Sequence, residues 1–244
     1  MEQDSGYLRM ELVGERVVPM GRAIAEVLTF AVGIAISPMA IIAIILILFS
    51  RRARANGLAF LAGWVLALVV ASAVIYVLSD RANAASSQTT DDSLSWGKII
   101  LGVLFFVLAW RTWRERPERG AQPRMPKWMG GIEALSPAAA FGLGVVCAGA
   151  NPKNLALTAG AAAGVAQLGV SGADVVVALG VFVVLASVTI AGPVIYELVG
   201  GSTAQARLDE LKTWLVDHNA AVMIVLFVVL GAGFVAKGLP PLTS

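Results

Sequence analysis

The residues with the strongest chemical character in this chain sit in apolar surroundings. Asn151-Pro152-Lys153-Asn154 interrupts an apolar region, and Lys153 is the only basic residue deep within such a stretch. A charge at that depth is costly in hydrocarbon, so its default reading is functional. Together with the amides of Asn151 and Asn154, its ammonium offers a place for an anionic or polar headgroup. The blander readings are an ion pair with Glu26, Glu133 or Glu197, or snorkelling to an interface. Ser37-Pro38 marks a second interruption. Proline removes a backbone donor and clashes with the preceding turn, so the carbonyls it frees need new partners and can line a polar path. The candidate substrate-binding set is therefore Ser37, Pro38, Asn151, Pro152, Lys153 and Asn154.

Glu26 and Glu197 are candidates for proton coupling, with an interfacial anchor near the end of the apolar run as the favoured reading of Glu26 and the alternative for Glu197. Asp174 suits the start of a helix, where a carboxylate favours the dipole. The single histidine, His218, lies beside Asp217 and reads as an interfacial or capping residue. Cys147 has no second cysteine to pair with and reads as a small buried hydrophobe. No cluster has metal-ligand spacing, and no phosphate-cradling glycine loop or paired thiol is present. The expectation is a non-enzyme with no catalytic residue, no metal and no cofactor, in which any energy comes from a gradient or a partner.

The elements that must position these residues follow from composition. Of 244 residues, 58% are hydrophobic and 14% charged, too apolar for an ordinary globular surface. Runs of roughly 20 apolar residues suffice to cross a hydrocarbon core. Such runs read at about 23 to 49, 58 to 79, 96 to 113, 134 to 168, 173 to 199 and 219 to 238. The first and fourth carry the proline breaks. Trp96, Trp110 and Trp113 flank the third at headgroup level. In the fourth, Ala148-Gly149-Ala150 and Ala159 to Gly164 are dense in small residues, which suits close helix packing or leaves room for a groove.

The expected fold is an all-α integral membrane protein of about six transmembrane helices. Residues 1–20 form an N-terminal tail without signal-peptide features, 21–113 a first three-helix repeat, 114–133 a basic connector, and 134–240 a second three-helix repeat. The loop at 50 to 57 and the connector at 111 to 133 hold nine of the 18 basic residues, so both face the cytoplasm, and both termini are then external. Three spans per half make any repeat an inverted one. Ser37-Pro38 corresponds to Asn151-Pro152, Gly63 with Ala71-Ser72 to Gly180 with Ala186-Ser187, and Leu104 to Leu108 to Leu226 to Leu230. A net charge of +2 without a basic patch interleaved with aromatics argues against nucleic acid as a partner.

The run Ala35-Ile36-Ser37-Pro38-Met39-Ala40-Ile41-Ile42, followed by Arg51-Arg52-Ala53-Arg54-Ala55-Asn56-Gly57 and Leu58 to Trp64, resembles the GAP family, also called the sulfolipid-addressing protein family, of actinobacterial membrane proteins. The similarity covers about residues 20 to 238. Asn151-Pro152-Lys153 also resembles the Asn-Pro-Lys motif of the wider lysine-exporter superfamily. The resemblance implies a six-span inner-membrane protein that moves a lipid or glycolipid towards the cell surface. Ser37-Pro38 stands where many exporters carry a glycine-rich proline motif, which argues against amino-acid export. Export of a small polar solute such as an amino acid is the same-fold alternative, and a scaffold for lipid-synthesis enzymes is a third reading. Expected partners are membrane lipids, the lipid or glycolipid substrate, and lipid-synthesis or export proteins, and a homodimer is compatible with each.

Overall fold

The computed structural model describes residues 20–85, 96–116, 134–170 and 172–239. The tail through residue 19, residues 86–95 and most of the connector including Glu133 fall outside the described residues. Among the described residues the regular structure is helical and no strand occurs. The helices are α1 (Met20–Ala35), α2 (Pro38–Leu48), α3 (Ala53–Ala85), α4 (Trp96–Arg114), α5 (Pro137–Gly149), α6 (Pro152–Gln167) and α7 (Ala173–Gly238).

Both proline breaks fall where the sequence places them. α1 and α2 meet at 57° across Ile36-Ser37, with Pro38 opening α2. α5 and α6 part at Ala150-Asn151, with Pro152 opening α6. Proline suits the first helical position, where a missing amide costs nothing. Among the described residues, three apolar segments are long enough to cross a membrane, Ala53–Ala82, Ala173–Gly200 and Gln205–Gly238, and the bent pair α1–α2 makes a fourth if it counts as one span. Trp96, Trp110 and Trp113 are exposed on α4, and the Arg114 and Arg116 guanidinium groups lie over the Trp110 and Trp113 rings at 4.9 and 5.2 Å.

One difference from the sequence reading concerns residues 200 to 218, expected to separate two spans. Helix continues through them, within the 66 residues of α7. The polar stretch keeps itself helical by local pairing. Arg207 bonds Glu210 at 3.3 Å, Lys212 bonds Asp209, and the Thr213 hydroxyl donates to the Asp209 carbonyl at 2.9 Å. α7 is nonetheless not a straight rod. The Thr189 hydroxyl reaches the Ala35 carbonyl, while Leu230 Cδ1 lies 3.2 Å from where a Cβ on Gly33 would sit. A straight helix would hold Thr189 and Leu230 roughly 60 Å apart. The two apolar segments of α7 are therefore arms that fold back on one another. The first runs parallel to α1–α2, and the second runs antiparallel, taking Leu230 to Gly33, Phe234 to Phe30 and Lys237 to Glu26.

Small residues set the close crossings. A Cβ on Gly63 would fall 2.1 Å from the Phe141 carbonyl oxygen, and one on Gly144 2.2 Å from that of Phe60, so α3 and α5 touch backbone to backbone. Gly102 and Gly231 do the same for α4 and the second arm of α7, at 2.8 and 3.1 Å. Gly160 and Gly164 of α6 lie against Phe30 and Glu26 of α1. Such approach supplies the dispersion contact that replaces the hydrophobic drive inside lipid. α2 is enclosed: Ala40 through Ile45, Ile47 and Leu48 are all buried.

Candidate functional site

The site is built where α6 meets the break in α1–α2. In a continuous helix Ser37 N–H would bond the Gly33 carbonyl and residue 38 would serve Ile34. Here Ser37 N–H turns to Ala35 at 2.9 Å, Pro38 has no N–H, and the Ala40 amide bonds Ser37 at 3.0 Å. The carbonyls of Gly33 and Ile36 are thus left outside the regular ladder. Lys153 closes both. Its Nζ donates to Gly33 O at 2.8 Å and to Ile36 O at 2.9 Å, and the residue is only 4% exposed. Thr189, on the first arm of α7, donates its hydroxyl to Ala35 O at 2.7 Å.

The second break supplies the arm that reaches across. Asn151 caps α6, its Oδ1 accepting from the Lys153 amide at 3.0 Å. Pro152 starts the helix, which fixes the direction in which Lys153 leaves it. Asn154, fully buried, turns back and donates from Nδ2 to the Cys147 carbonyl in the last turn of α5 at 3.1 Å. Its Oδ1 is buried with no partner among the described residues. Such an acceptor is costly to leave unmade. The four residues Asn151-Pro152-Lys153-Asn154 thus end one helix, begin the next and pin a third.

All six residues of the sequence-derived binding set therefore flank the two breaks, and Lys153 joins them. Among the described residues, main-chain oxygens and not a carboxylate hold the lysine. Glu26 instead faces Lys237 at 3.6 Å in a partly exposed pair. Glu197 lies apart, buried near the end of the first arm of α7, with Oε2 unpartnered. His218 Nδ1 sits 2.8 Å from the carbonyl of Trp214 one turn back, and the two rings stack at 4.8 Å.

Two participants escaped the sequence reading. Thr189 is an unremarkable residue within an apolar run, and its only signal is a hydroxyl at mid-span. Asn56 is fully buried and donates to Ser50 Oγ at 3.0 Å and to the Leu135 carbonyl at 2.9 Å, tying the basic turn before α3 to the approach to α5. An asparagine so close to three arginines reads as loop, which hid it.

A multi-pass helical membrane protein with two proline-broken helices, one pinned by a buried lysine from the other, is the class that this geometry defines. The chain belongs to the family of Sap, the sulfolipid-1-addressing protein, whose model matches residues 27–240. No curated protein and no solved structure gave a match.

Proposed function

We propose that this chain is a transport protein or flippase-like factor that moves a lipid or glycolipid with a polar or anionic headgroup towards the cell surface. The observation that carries the reading is the Lys153 ammonium, buried and bridging the two broken helices through Gly33 O and Ile36 O. An ammonium has three donors and these carbonyls take two. The third donor, with the unpartnered Oδ1 of Asn154, is available to a headgroup. Movement of Lys153 from the carbonyls to such a headgroup frees the α1–α2 joint, which couples cargo binding to a change of bend. The name of the matched family, sulfolipid-1-addressing protein, supports a lipid cargo.

The rest of the reading follows from the same arrangement. The chain crosses the inner membrane six times as two inverted three-helix repeats, in the manner of the lysine-exporter superfamily, with its basic loops cytoplasmic and both termini external. Non-helical backbone at membrane depth beside paired breaks marks the binding region in such transporters. The chain performs no catalysis, and partners in lipid synthesis deliver the cargo. Glu197 is the better candidate for proton coupling because its carboxylate is buried and one oxygen has no partner, whereas Glu26 is engaged by Lys237. Transport that persists after the proton gradient is collapsed would remove this role.

The test is lipid and metabolite profiling of the cell surface and interior in a deletion strain, restored with wild type or Lys153→Met. A surface lipid lost on deletion and restored by wild type alone supports the proposal. Unchanged lipids with an accumulated small solute inside the cells overturn it in favour of solute export.

A further inference from the structure

The bend at Ile36-Ser37 has a steric result on the far side of α1. The second arm of α7 continues past the break in its own direction, while α2 turns by 57° into the core. The lane that a straight first helix would fill is left empty beside the arm. A groove of about 660 Å³ runs along α1 to the break and beside the arm, walled by Leu28 and Val32 on α1, by Ile36 at the break and by Val222, Val225 and Val229 on α7. None of α2 contributes to its lining.

The groove has a polarity axis. Its walls are aliphatic along most of their length apart from Thr29 on α1, and Trp214 and the stacked His218 stand at the end away from it. That end lies on the side of the molecule where Lys212 sits 5.3 Å over the Phe49 ring, next to exposed Arg51, Arg52 and Arg54. The spacing from His218 to Val229 corresponds to roughly 17 Å of helix, close to the depth of one leaflet's share of a hydrocarbon core of about 30 Å. Val32, Val225 and Val229 are 53, 62 and 63% exposed, so the groove opens sideways through apolar walls. For helices of this class the surrounding medium is acyl chain. The volume falls within the roughly 300–1,000 Å³ of small-ligand sites.

We propose that this groove is a binding site for an acyl chain of a membrane lipid, lying along the second arm of α7 with its headgroup at the Trp214–His218 end. The inference rests on the lipid reading above and adds a second position for the cargo, distinct from Lys153. The two are joined through Gly33 and Ile36, which line the groove with their own atoms and hold Lys153 with their carbonyls. A chain in the groove braces the bend, and a straightened α1–α2 closes the lane and expels it.

The probe is phosphatidylglycerol with a diazirine on its acyl chain, doped into phosphatidylcholine nanodiscs that contain the full-length protein. Labelled peptides are then mapped by mass spectrometry. Labelling is expected to concentrate on Val32, Val225 and Val229, and Val225→Trp is expected to lower it about tenfold by taking the space of two or so methylenes. Val32→Trp, which fills the lane from the opposite wall, gives the same readout if the first variant fails to elute as a single species. Equal labelling of Val70 and Val74 on α3, unchanged by either tryptophan, overturns the site, since it reports only the lipid annulus. Disulfide-linked dimers of Val225→Cys without lipid labelling overturn it too, by showing a second copy in the groove. Groove labelling that the tryptophans block, in a protein whose deletion leaves surface lipids unchanged, sustains the site while the transport reading falls. Surface lipids lost on deletion, with annular labelling only, do the reverse.

Discussion

Lys153 is held by oxygens that carry no net charge. An ammonium in hydrocarbon needs partners for its donors, and among the described residues two carbonyls released by a helix break supply two of them. Removing it with Lys153→Met strands Gly33 O and Ile36 O, each at a cost of about 1–3 kcal/mol. The variant is expected to melt at a lower temperature in detergent while eluting as one species, measured by thermal unfolding of the purified protein. Thr189→Val removes the hydroxyl from Ala35 O and is expected to cost about 1 kcal/mol, with Thr189→Ser restoring most of it. Glu26→Gln disrupts only a partly exposed pair with Lys237, and the same assay is expected to shift by less than about 1 kcal/mol. Lys153 announced itself in the sequence by its isolation among apolar residues. Its partners did not, because a main-chain carbonyl has no residue type, and these lie 117 and 120 positions away.

Helix breaks are legible because proline has a local effect, and both fall where Pro38 and Pro152 place them. The glycines are harder to read. By position Gly63 and Gly180 look equivalent in the two halves, yet a Cβ on Gly63 would strike the Phe141 carbonyl, whereas among the described residues one on Gly180 meets nothing within 4 Å beyond its own stretch of helix. Which glycine is a contact depends on a partner helix far away in sequence. Gly63→Val is therefore expected to destabilise the α3–α5 crossing by about 1–3 kcal/mol and reduce the yield of monodisperse protein. Gly180→Ala is expected to be neutral or to stabilise by up to about 1 kcal/mol through helix propensity. The helical stretch at 200 to 218 was missed because hydropathy alone separated the last two spans. Polar side chains spaced three and four apart keep a helix going without any apolar signal.

The molecule as a whole has one end marked by Arg51, Arg52 and Arg54 and another marked by Glu26 with Lys237 and by Tyr76, whose hydroxyl donates to Val170 O at 3.3 Å. With the basic end cytoplasmic, Arg52→Cys in a Cys147→Ala background is expected to react with a membrane-impermeant thiol reagent only from inside. Asp80→Cys is expected to react only from outside. The reverse pattern would invert the topology proposed here. The groove beside α7 lay beyond sequence reasoning altogether, because its walls come from two segments nearly 200 residues apart, and because an empty lane is a property of a bend angle.

The burial of α2 also bears on how the chain is made. The eleven residues from Pro38 to Leu48 are apolar on every side, so they have no polar face to fix their rotation, and the lysine that closes the break before them is more than a hundred residues downstream. As the chain emerges, the Gly33 and Ile36 carbonyls must wait for α6 before they gain their final partner. Assembly therefore has an order imposed on it: the early helices can insert at once, but they can be sealed only by the late ones. A chain ended at residue 133 is expected to be degraded faster than the full protein in a pulse-chase experiment, since quality control meets a joint that its own half cannot close.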